Sequence, residues 1–271
     1  MNAPVSLERA RGSVSLRVGA TGEGNAILGL SQAGCARLLF PAIARGSSRE
    51  AVIVNTSGGL TGGDLFTVEA EVERAAAAVL TTQACERIYR SLGGPATVRT
   101  HLRVGDGARL SWLPQETILF DRSGLARSLT VDIGAGATFL AVEAVILGRK
   151  ASGETLTNIS FRDSWRIRRE GQLVYADETA LGDGLDDALA ARPALGGASA
   201  FATIVLVAPD AEARLERLRE LPTNDATEAG FSAFDGLCLA RLIAQDGASL
   251  RSRLLPLLTA LGGEPPLVWS L

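Results

Sequence analysis

The chain has 271 residues, of which 46% are hydrophobic and 21% are charged, a composition typical of a globular protein with a sizeable core and not of a disordered chain. Its 27 lysines and arginines against 30 aspartates and glutamates give a net charge of -3, which lacks the basic excess expected of a protein that binds nucleic acid or an anionic membrane. The single histidine, His101, excludes a metal centre or a catalytic site built from several imidazoles.

The beginning of the chain and its apolar runs bear on location. Charged residues at positions 8, 9 and 11 occur where a signal peptide needs an uninterrupted apolar stretch. The longest apolar run, 201–208, is far shorter than the ~20 residues of a membrane-spanning helix. The three cysteines are widely separated, so neither a disulfide framework nor a structural zinc site is indicated. We therefore predict a cytoplasmic protein that does not enter membranes and, since no clear linker is present, a single domain over 1–271.

Strand patterns dominate the first two thirds of the chain. Short runs rich in Val, Ile, Leu and Thr are separated by turns that contain glycine. The predicted strands cover 51–55, 65–72, 98–104, 108–113, 128–133, 138–147, 158–168, 173–179 and 200–207. Regular strand spacing without intervening helices favours stacked sheets, in a sandwich, a barrel or a solenoid. The segment 139–142 is apolar throughout, which indicates a strand buried on both faces.

Helical periodicity occurs only in the last third of the chain. Asp210 is the predicted N-cap of a helix over 211–221 that ends before a proline. A second predicted helix, 248–261, places Leu250, Leu254 and Leu261 on one stripe. The polar segment 223–229 is predicted to be a loop. The fold class is thus mainly β, a long β-rich body of stacked sheets with two helices in the C-terminal third.

The most unusual segment, 55–64, has four glycines within six positions and ends at Asp64. A phosphate-binding loop would require a lysine here, and a dinucleotide-binding loop would lead into a helix, whereas 65–70 has a strand pattern. Both nucleotide interpretations therefore fail. Two interpretations stay open, a tight turn between strands or a glycine-lined opening with Asp64 at its end.

Glu143 is an acidic residue inside the apolar run 139–147. A buried unpaired carboxylate is costly, so Glu143 must pair with an arginine such as Arg149, become protonated, or face water or a cation. Asp177 and Glu178 follow a similar apolar run. These acids form either ordinary salt bridges or an internal polar path, along which carboxylates could pass a divalent ion without gripping it.

Other polar residues allow more ordinary interpretations. Cys85 is expected to fill core volume, and Glu86 with its neighbouring arginines is expected to form a polar cluster on the surface. Glu116 and Asp121 are five residues apart and would face opposite sides of a continuous strand, which does not favour a paired-carboxylate glycosidase site. A β-solenoid or sandwich protein that binds or processes carbohydrate is the alternative, although an aromatic content of 5% argues against it.

Several segments, in the same order along the chain, resemble the UreD family of urease accessory proteins. The matching segments are 58–64 (GGLTGGD), 89–91 (YRS), 112–116 (WLPQE), 147–149 (LGR) followed by 153–154 (GE), and 266–269 (PLVW). The resemblance covers nearly the whole chain. It implies a β-helix-like fold with two helices and a role in urease maturation without catalysis.

The resemblance also implies partners and a cargo. UreD-like proteins bind a second accessory protein, UreF, which recruits the GTPase UreG, and the assembly docks on apo-urease so that nickel reaches its active site. On this resemblance the chain is expected to be a scaffold and a nickel conduit, with nickel in transit and no tightly bound cofactor. The acids that match by motif are Asp64, Glu143 and Asp177, the last of which could instead be Glu178.

Overall fold

The computed structural model describes residues 8–42, 48–149, 153–154, 156–182, 185, 191, 195–263 and 265–270. Within these residues the strands form two sheets, whose inner faces share one apolar core. Sheet A has seven strands, in the spatial order β14 (Gln172–Leu181), β13 (Ser160–Arg169), β11 (Gly124–Ile133), β8 (Ala96–Val104), β5 (Leu65–Val72), β1 (Arg11–Thr21) and β2 (Gly24–Gly34). Sheet B has ten strands. Eight follow the order β16 (Thr227–Phe234), β17 (Leu237–Ala244), β15 (Ala200–Val207), β12 (Thr138–Leu147), β9 (Arg109–Leu113), β6 (Ala77–Thr82), β4 (Arg49–Asn55) and β3 (Ala36–Leu39). Of the other two, β10 (Thr117–Leu119) pairs with β12, and β7 (Glu86–Ile88) pairs with β10.

The chain alternates between the sheets and so forms stacked coils. Strands β5, β8, β11 and β13 pair in parallel in sheet A, and β6, β9 and β12 pair in parallel in sheet B. A four-residue turn leads from each of β5, β8 and β11 into the next strand of sheet B. This arrangement confirms the predicted β-helix-like body.

A third row of short pairings closes the coils on the side opposite these turns. Leu60 of the glycine segment bridges in parallel to Ile88, which pairs with Leu119, which in turn pairs with Leu147. All four side chains are buried. The glycine segment therefore lies on this return side, stacked on the coils and not projecting from them.

Antiparallel strands end the stack of sheet A on both sides. β2 pairs antiparallel with β1, and β14 pairs antiparallel with β13. Each of these pairs contains a register shift, one at Arg17/Val18 and the other at Ile167/Arg168. The parallel coils are thus bounded by hairpin-like strands at both edges of the sheet.

The nine predicted strands are all present, and three of them have the bounds that were predicted, namely 65–72, 138–147 and 200–207. β12 is buried on both faces, as its uniform apolar pattern predicted, because its two faces contact different cores. Ala141 and Val145 point between the sheets, while Leu140 and Val142 point outward into a second core.

Helices cover the outer face of sheet B. Helix α1 (Leu215–Arg219) follows a 3-10 turn at Glu212–Arg214, and helix α2 (Gly247–Ala260) begins after Asp246, whose side chain accepts a hydrogen bond from the Ser249 amide. The leucines of α2 pack onto sheet B, as the stripe predicted. No helix within the described ranges is both long and apolar enough to cross a membrane.

Two details of the C-terminal third were predicted wrongly. Asp210 does not cap a helix, because its carboxylate accepts hydrogen bonds from the Arg214 side chain, and the first helical segment is shorter than 211–221. The predicted loop 223–229 ends early, since β16 begins at Thr227. Its pairing with the buried β17 supplies the strand geometry that its polar sequence does not indicate.

Candidate functional site

A cavity of about 260 Å³ lies between the two sheets on the return side of the coils. Its wall is mostly apolar, with residues such as Phe66, Val98 and Leu125 from sheet A. Exposed residues of the return segments, among them Gly58 and Gln83, line its outer end. The buried pair Arg127 and Glu143 lines its inner end. The cavity is therefore an apolar space with polar groups at both ends.

The glycine segment is both a turn and part of this opening. Gly58 and Gly59 line the cavity and have φ values of 77° and 146°, a region of backbone conformation that favours glycine. A Cβ on Gly59 would lie 2.7 Å from the Arg87 carbonyl oxygen and 2.4 Å from the Tyr89 ring. The two interpretations left open by the sequence are thus compatible, because the tight backbone itself forms a wall of the cavity.

Glu86 is the acid at the outer end of the cavity. Both of its carboxylate oxygens accept hydrogen bonds from the Asn55 side-chain amide, at 3.1 and 3.2 Å. Burial raises the pKa of Glu86 to about 7, although the Asn55 hydrogen bonds oppose that shift. The predicted surface cluster is therefore wrong for Glu86, whose side chain the return strand β7 turns inward between the sheets, whereas Arg87 and Arg90 are exposed.

Glu143 is the acid at the inner end. It projects from β12 into the inter-sheet space, where Trp112 donates an indole N–H to its Oε1 at 2.9 Å and Arg127 contacts its Oε2. Burial raises the pKa of Glu143 above its ordinary range, while the positive charge of Arg127 opposes the shift. Of the alternatives that the sequence left open, the salt bridge is present, and its partner is Arg127 and not Arg149, which pairs with Glu154.

Arg127 and Asp163 complete a buried trio with Glu143. They are registered neighbours on the parallel strands β11 and β13, so their side chains leave sheet A on the same face. Nη2 of Arg127 lies 2.7 Å from Asp163 Oδ2, and Nη1 donates to Thr117 Oγ1 at 3.1 Å. Trp165 donates its indole N–H to the same Asp163 oxygen. The two sheets are thus joined by one guanidinium held between two carboxylates.

Arg127 and Asp163 were not among the residues predicted from the sequence. Both lie on alternating strands, where a charged residue ordinarily faces solvent. A signal was nevertheless present, because Asp163 falls in phase with Phe161, Trp165 and Ile167, the inward-facing residues of β13. A charged residue on the apolar face of an alternating strand indicates a buried partner.

Asp64 lies beside the glycine segment, but it is not among the described residues that line the cavity. Its side chain is buried, and its two oxygens accept hydrogen bonds from the backbone amides of Ala10 and Thr61, each at 2.8 Å. Asp64 therefore ties the end of the glycine segment to the chain just before β1.

Asp177 and Glu178 occupy opposite faces of β14. Asp177 points between the sheets, where it pairs with Arg241 of β17 at 2.8 Å and accepts a hydrogen bond from the Tyr175 hydroxyl. Glu178 points outward and pairs with Arg162 at 2.9 Å. Of the two acids that the sequence left as alternatives, Asp177 is the one that faces the interior.

The remaining polar candidates have separate partners. Glu116 is buried and paired with Arg251 of α2, while Asp121 accepts hydrogen bonds from the Thr157 and Asn158 amides. Cys85 donates its thiol to Glu116, and burial together with that carboxylate raises the thiol pKa to about 11. His101 is half-buried beside Asp132 on sheet A. No group of three or more His, Cys, Asp or Glu in the described part of the chain is arranged to hold a metal ion.

Comparison with known proteins decides the family. The family profile described as "UreD urease accessory protein" matches residues 10–270. This chain belongs to the UreD family. A protein named urease accessory protein UreD from Rhizobium leguminosarum bv. trifolii (strain WSM2304) is 51% identical over 245 residues, which cover 89% of this chain and 88% of the relative. UreD proteins of Chelativorans sp. (strain BNC1) and Mesorhizobium japonicum are 45% and 42% identical, and each alignment covers 99% of this chain and 96% of the relative.

Proposed function

We propose that this UreD-family chain is a scaffold and conduit that lets nickel reach apo-urease through the cavity between its sheets. The observation that carries the proposal is the placement of two carboxylates, Glu86 and Glu143, at the outer and inner ends of a mostly apolar cavity. Transfer of a hydrated divalent ion into an apolar space is unfavourable unless negatively charged oxygens offset the loss of its hydration water.

The chemistry of the two acids suits transit better than storage. Carboxylate oxygen binds Ni²⁺ less strongly than imidazole or thiolate does, so an ion held by one carboxylate at a time can move on. Each carboxylate also has a protein partner already, Asn55 for Glu86 and Arg127 for Glu143. The ion must compete with these partners, which weakens its hold further. In this proposal nickel is a cargo, no cofactor is tightly bound, and the chain itself catalyses no reaction.

The resemblance adds two acids to the path. Asp177 faces the interior at the far edge of sheet A, where its side chain is 17% exposed, and it could pass the ion outward. Asp64 shapes the entrance, since its carboxylate holds the end of the glycine segment in place. Both roles are part of the proposal.

The proposed partners are those that the resemblance to the UreD family implies. We propose that the chain works in the cytoplasm, bound to UreF, and that nickel is delivered to this complex by the GTPase UreG. The glycine segment carries no lysine and leads into β5, so it has neither feature of a phosphate-binding loop. Nucleotide hydrolysis is therefore assigned to the partner, and the finished complex docks on apo-urease.

The test replaces one carboxylate by an amide of the same shape. Glu143→Gln should lower nickel incorporation into urease by about tenfold in a reconstituted system with UreF and UreG, because a neutral amide cannot compensate the positive charge of a divalent ion. The matched control is Glu178→Gln, which removes an outward-facing acid. Nickel per urease active site and co-elution of the accessory complex are measured together. Normal incorporation with Glu143→Gln in an intact complex would disprove the conduit.

A further inference from the structure

Arg127 is the group that separates the cavity from the acids behind it. Arg127 and Glu143 both line the inner end of the cavity, whereas Asp163, on the other side of the guanidinium, is not among the described lining residues. The guanidinium therefore lies between the cavity and Asp163, and it contacts both carboxylates. Any cation that moves inward from Glu143 meets this fixed positive charge.

The polar groups continue beyond Arg127 toward the far edge of the sheets. The Trp165 indole donates to Asp163 at 3.2 Å, and its ring packs edge-on against Tyr175 with centroids 6.1 Å apart. The Tyr175 hydroxyl donates to Asp177 at 3.1 Å, and Asp177 is partly exposed. Polar and aromatic groups thus connect the trio with the surface between β14 and β17.

The hydrogen-bonding groups of the trio do not all have partners among the described residues, whereas those of a purely structural ion pair would have them. Asp163 Oδ1 and Arg127 Nε are buried and have no hydrogen-bond partner among the described residues. A buried polar atom without a partner costs stability, and an apolar trio of similar volume would serve packing as well or better. A guanidinium with two carboxylates can release one of them while the other still neutralises it.

We propose that Arg127 is an internal counter-cation that closes the inner end of the cavity, and that a divalent cation passes only by displacing this guanidinium from Glu143 while Asp163 retains it. The proposal rests on the function proposed above and adds a barrier to it. In the closed state the guanidinium occupies the carboxylate that an incoming ion would use. The same positive charge keeps an ion from resting at Glu143, which favours passage over trapping.

The experiment removes the barrier without changing the net charge of the trio. The variant Arg127→Met/Asp163→Asn deletes one positive and one negative charge and leaves Glu143 with Trp112. The control Arg162→Met/Glu178→Gln deletes an ion pair between β13 and β14 on the outer face of sheet A. Binding of Ni²⁺ to the purified full chain is measured by equilibrium dialysis, and near-ultraviolet circular dichroism reports whether each variant is folded.

The barrier predicts that affinity for Ni²⁺ rises when the competing cation is gone. We expect Arg127→Met/Asp163→Asn to bind Ni²⁺ about tenfold more tightly than the wild type, with less than about a twofold change for the control. Adding Glu143→Gln should abolish the gain. Unchanged affinity, or a gain that persists with Glu143→Gln, would overturn the proposal.

A second variant tests the proposal in case Arg127→Met/Asp163→Asn does not fold. Arg127→Lys keeps the charge but cannot bridge two carboxylates with a fork of N–H groups. It should raise Ni²⁺ affinity by about threefold, an intermediate value, and no change would overturn the proposal. Failure of the conduit is distinguishable: tighter binding in the Arg127 variants with normal urease activation by Glu143→Gln would leave the barrier and remove the conduit. Unchanged Ni²⁺ binding in the Arg127 variants, together with lost urease activation by Glu143→Gln, would leave the conduit and remove the barrier.

Discussion

At the scale of single residues, Glu86 lies in an environment that disfavours its charge. Its carboxylate accepts hydrogen bonds from the neutral side-chain amide of Asn55 and from the Arg87 backbone N–H, and it lies against apolar groups of the cavity wall. Within the described ranges no arginine offsets its burial in the way that Arg127 does for Glu143. Its protonation is therefore coupled to folding.

The folded-state pKa of Glu86, about 7, lies above its ordinary value of 4.5, so the folded chain holds this proton more tightly than the unfolded chain does. Stability from Glu86 is present at low pH and is lost as pH rises from 4.5 through about 7. In the metal-free protein, Glu86→Gln should raise the free energy of unfolding at pH 8 by roughly 2 kcal/mol, and the gain should shrink toward pH 4.5. Urea titrations across this range measure it. A gain that does not vary with pH would contradict the assignment.

At the scale of structural elements, the turns between sheet A and sheet B repeat one geometry. The third residue of each turn has a left-handed backbone conformation, with φ of 58° at Ala75, 62° at Gly107 and 63° at Gly136. The fourth residue is a buried alanine in every case. Alanine is strained at the third position, where the two other coils have glycine.

This strain predicts a stabilising substitution. Ala75→Gly should raise the free energy of unfolding by about 0.5 kcal/mol, because glycine adopts a left-handed backbone without the Cβ clash. The neighbouring change Ala76→Gly is the control and should lower the free energy of unfolding by about 1 kcal/mol, since it removes a buried methyl group. Both are measured by urea denaturation, and equal signs for the two variants would refute the argument.

Besides its leucines, which pack onto sheet B, helix α2 is held to the body by the polar contacts of Arg251. Arg251 donates to both oxygens of Glu116, to Gln115 Oε1 and to the Trp269 carbonyl, and its guanidinium lies over the Trp269 ring. Burial alone would raise the pKa of Glu116, but the hydrogen bonds and charge of Arg251 outweigh it and lower that pKa. Gln115 in turn donates to the carbonyls of Thr82 and Gln83 beside the cavity. Hydrogen bonds through Arg251 and Gln115 therefore connect helix α2 to the cavity wall.

Arg251→Ala should lower the free energy of unfolding by about 3 kcal/mol, because it leaves the buried Glu116 without its counter-charge. The exposed ion pair of Arg219 with Glu216 offers a control, and Arg219→Ala should cost less than about 0.5 kcal/mol. Thermal and urea denaturation at pH 7 provide the comparison. Similar losses for both variants would show that Arg251 contributes no more than a surface charge.

At the scale of the whole molecule, sheet B belongs to two cores at once. Its inner face contributes to the core between the sheets, and its outer face packs against α2 and the C-terminal segment. Strands β9, β12, β15 and β17 each supply side chains to both cores. We therefore expect both layers to unfold together, as a single domain would.

Tryptophan fluorescence can test this cooperativity, because Trp112 and Trp165 lie between the sheets and Trp269 lies in the outer layer. In Trp269→Phe the emission reports the inner core, and in Trp112→Phe/Trp165→Phe it reports the outer layer. For each variant, the urea midpoint from fluorescence should coincide with the midpoint from far-ultraviolet circular dichroism. A separate midpoint for Trp269 would divide the chain into two units.

The sequence predicts much of this molecule where local pattern and tertiary environment agree. β12 and β15 are buried strands with uniform apolar sequences, and Glu143 was noticeable because it interrupts such a run. Arg127 was missed because the predicted strand began at residue 128, although Arg127 is in phase with the inward-facing Leu129 and Val131. The strand at 227–234 was missed because an edge strand owes its geometry to its neighbour.

The two antiparallel edges of sheet A carry a consequence for solubility. A row of parallel coils presents, at each end, unpaired backbone groups that could recruit the coils of another copy and grow into a fibre. Here β2 and β14 run against that direction, and a bulge twists each one away from a flat template. These two edges therefore disfavour the addition of further copies to sheet A, because an antiparallel, bulged strand does not continue the parallel stack.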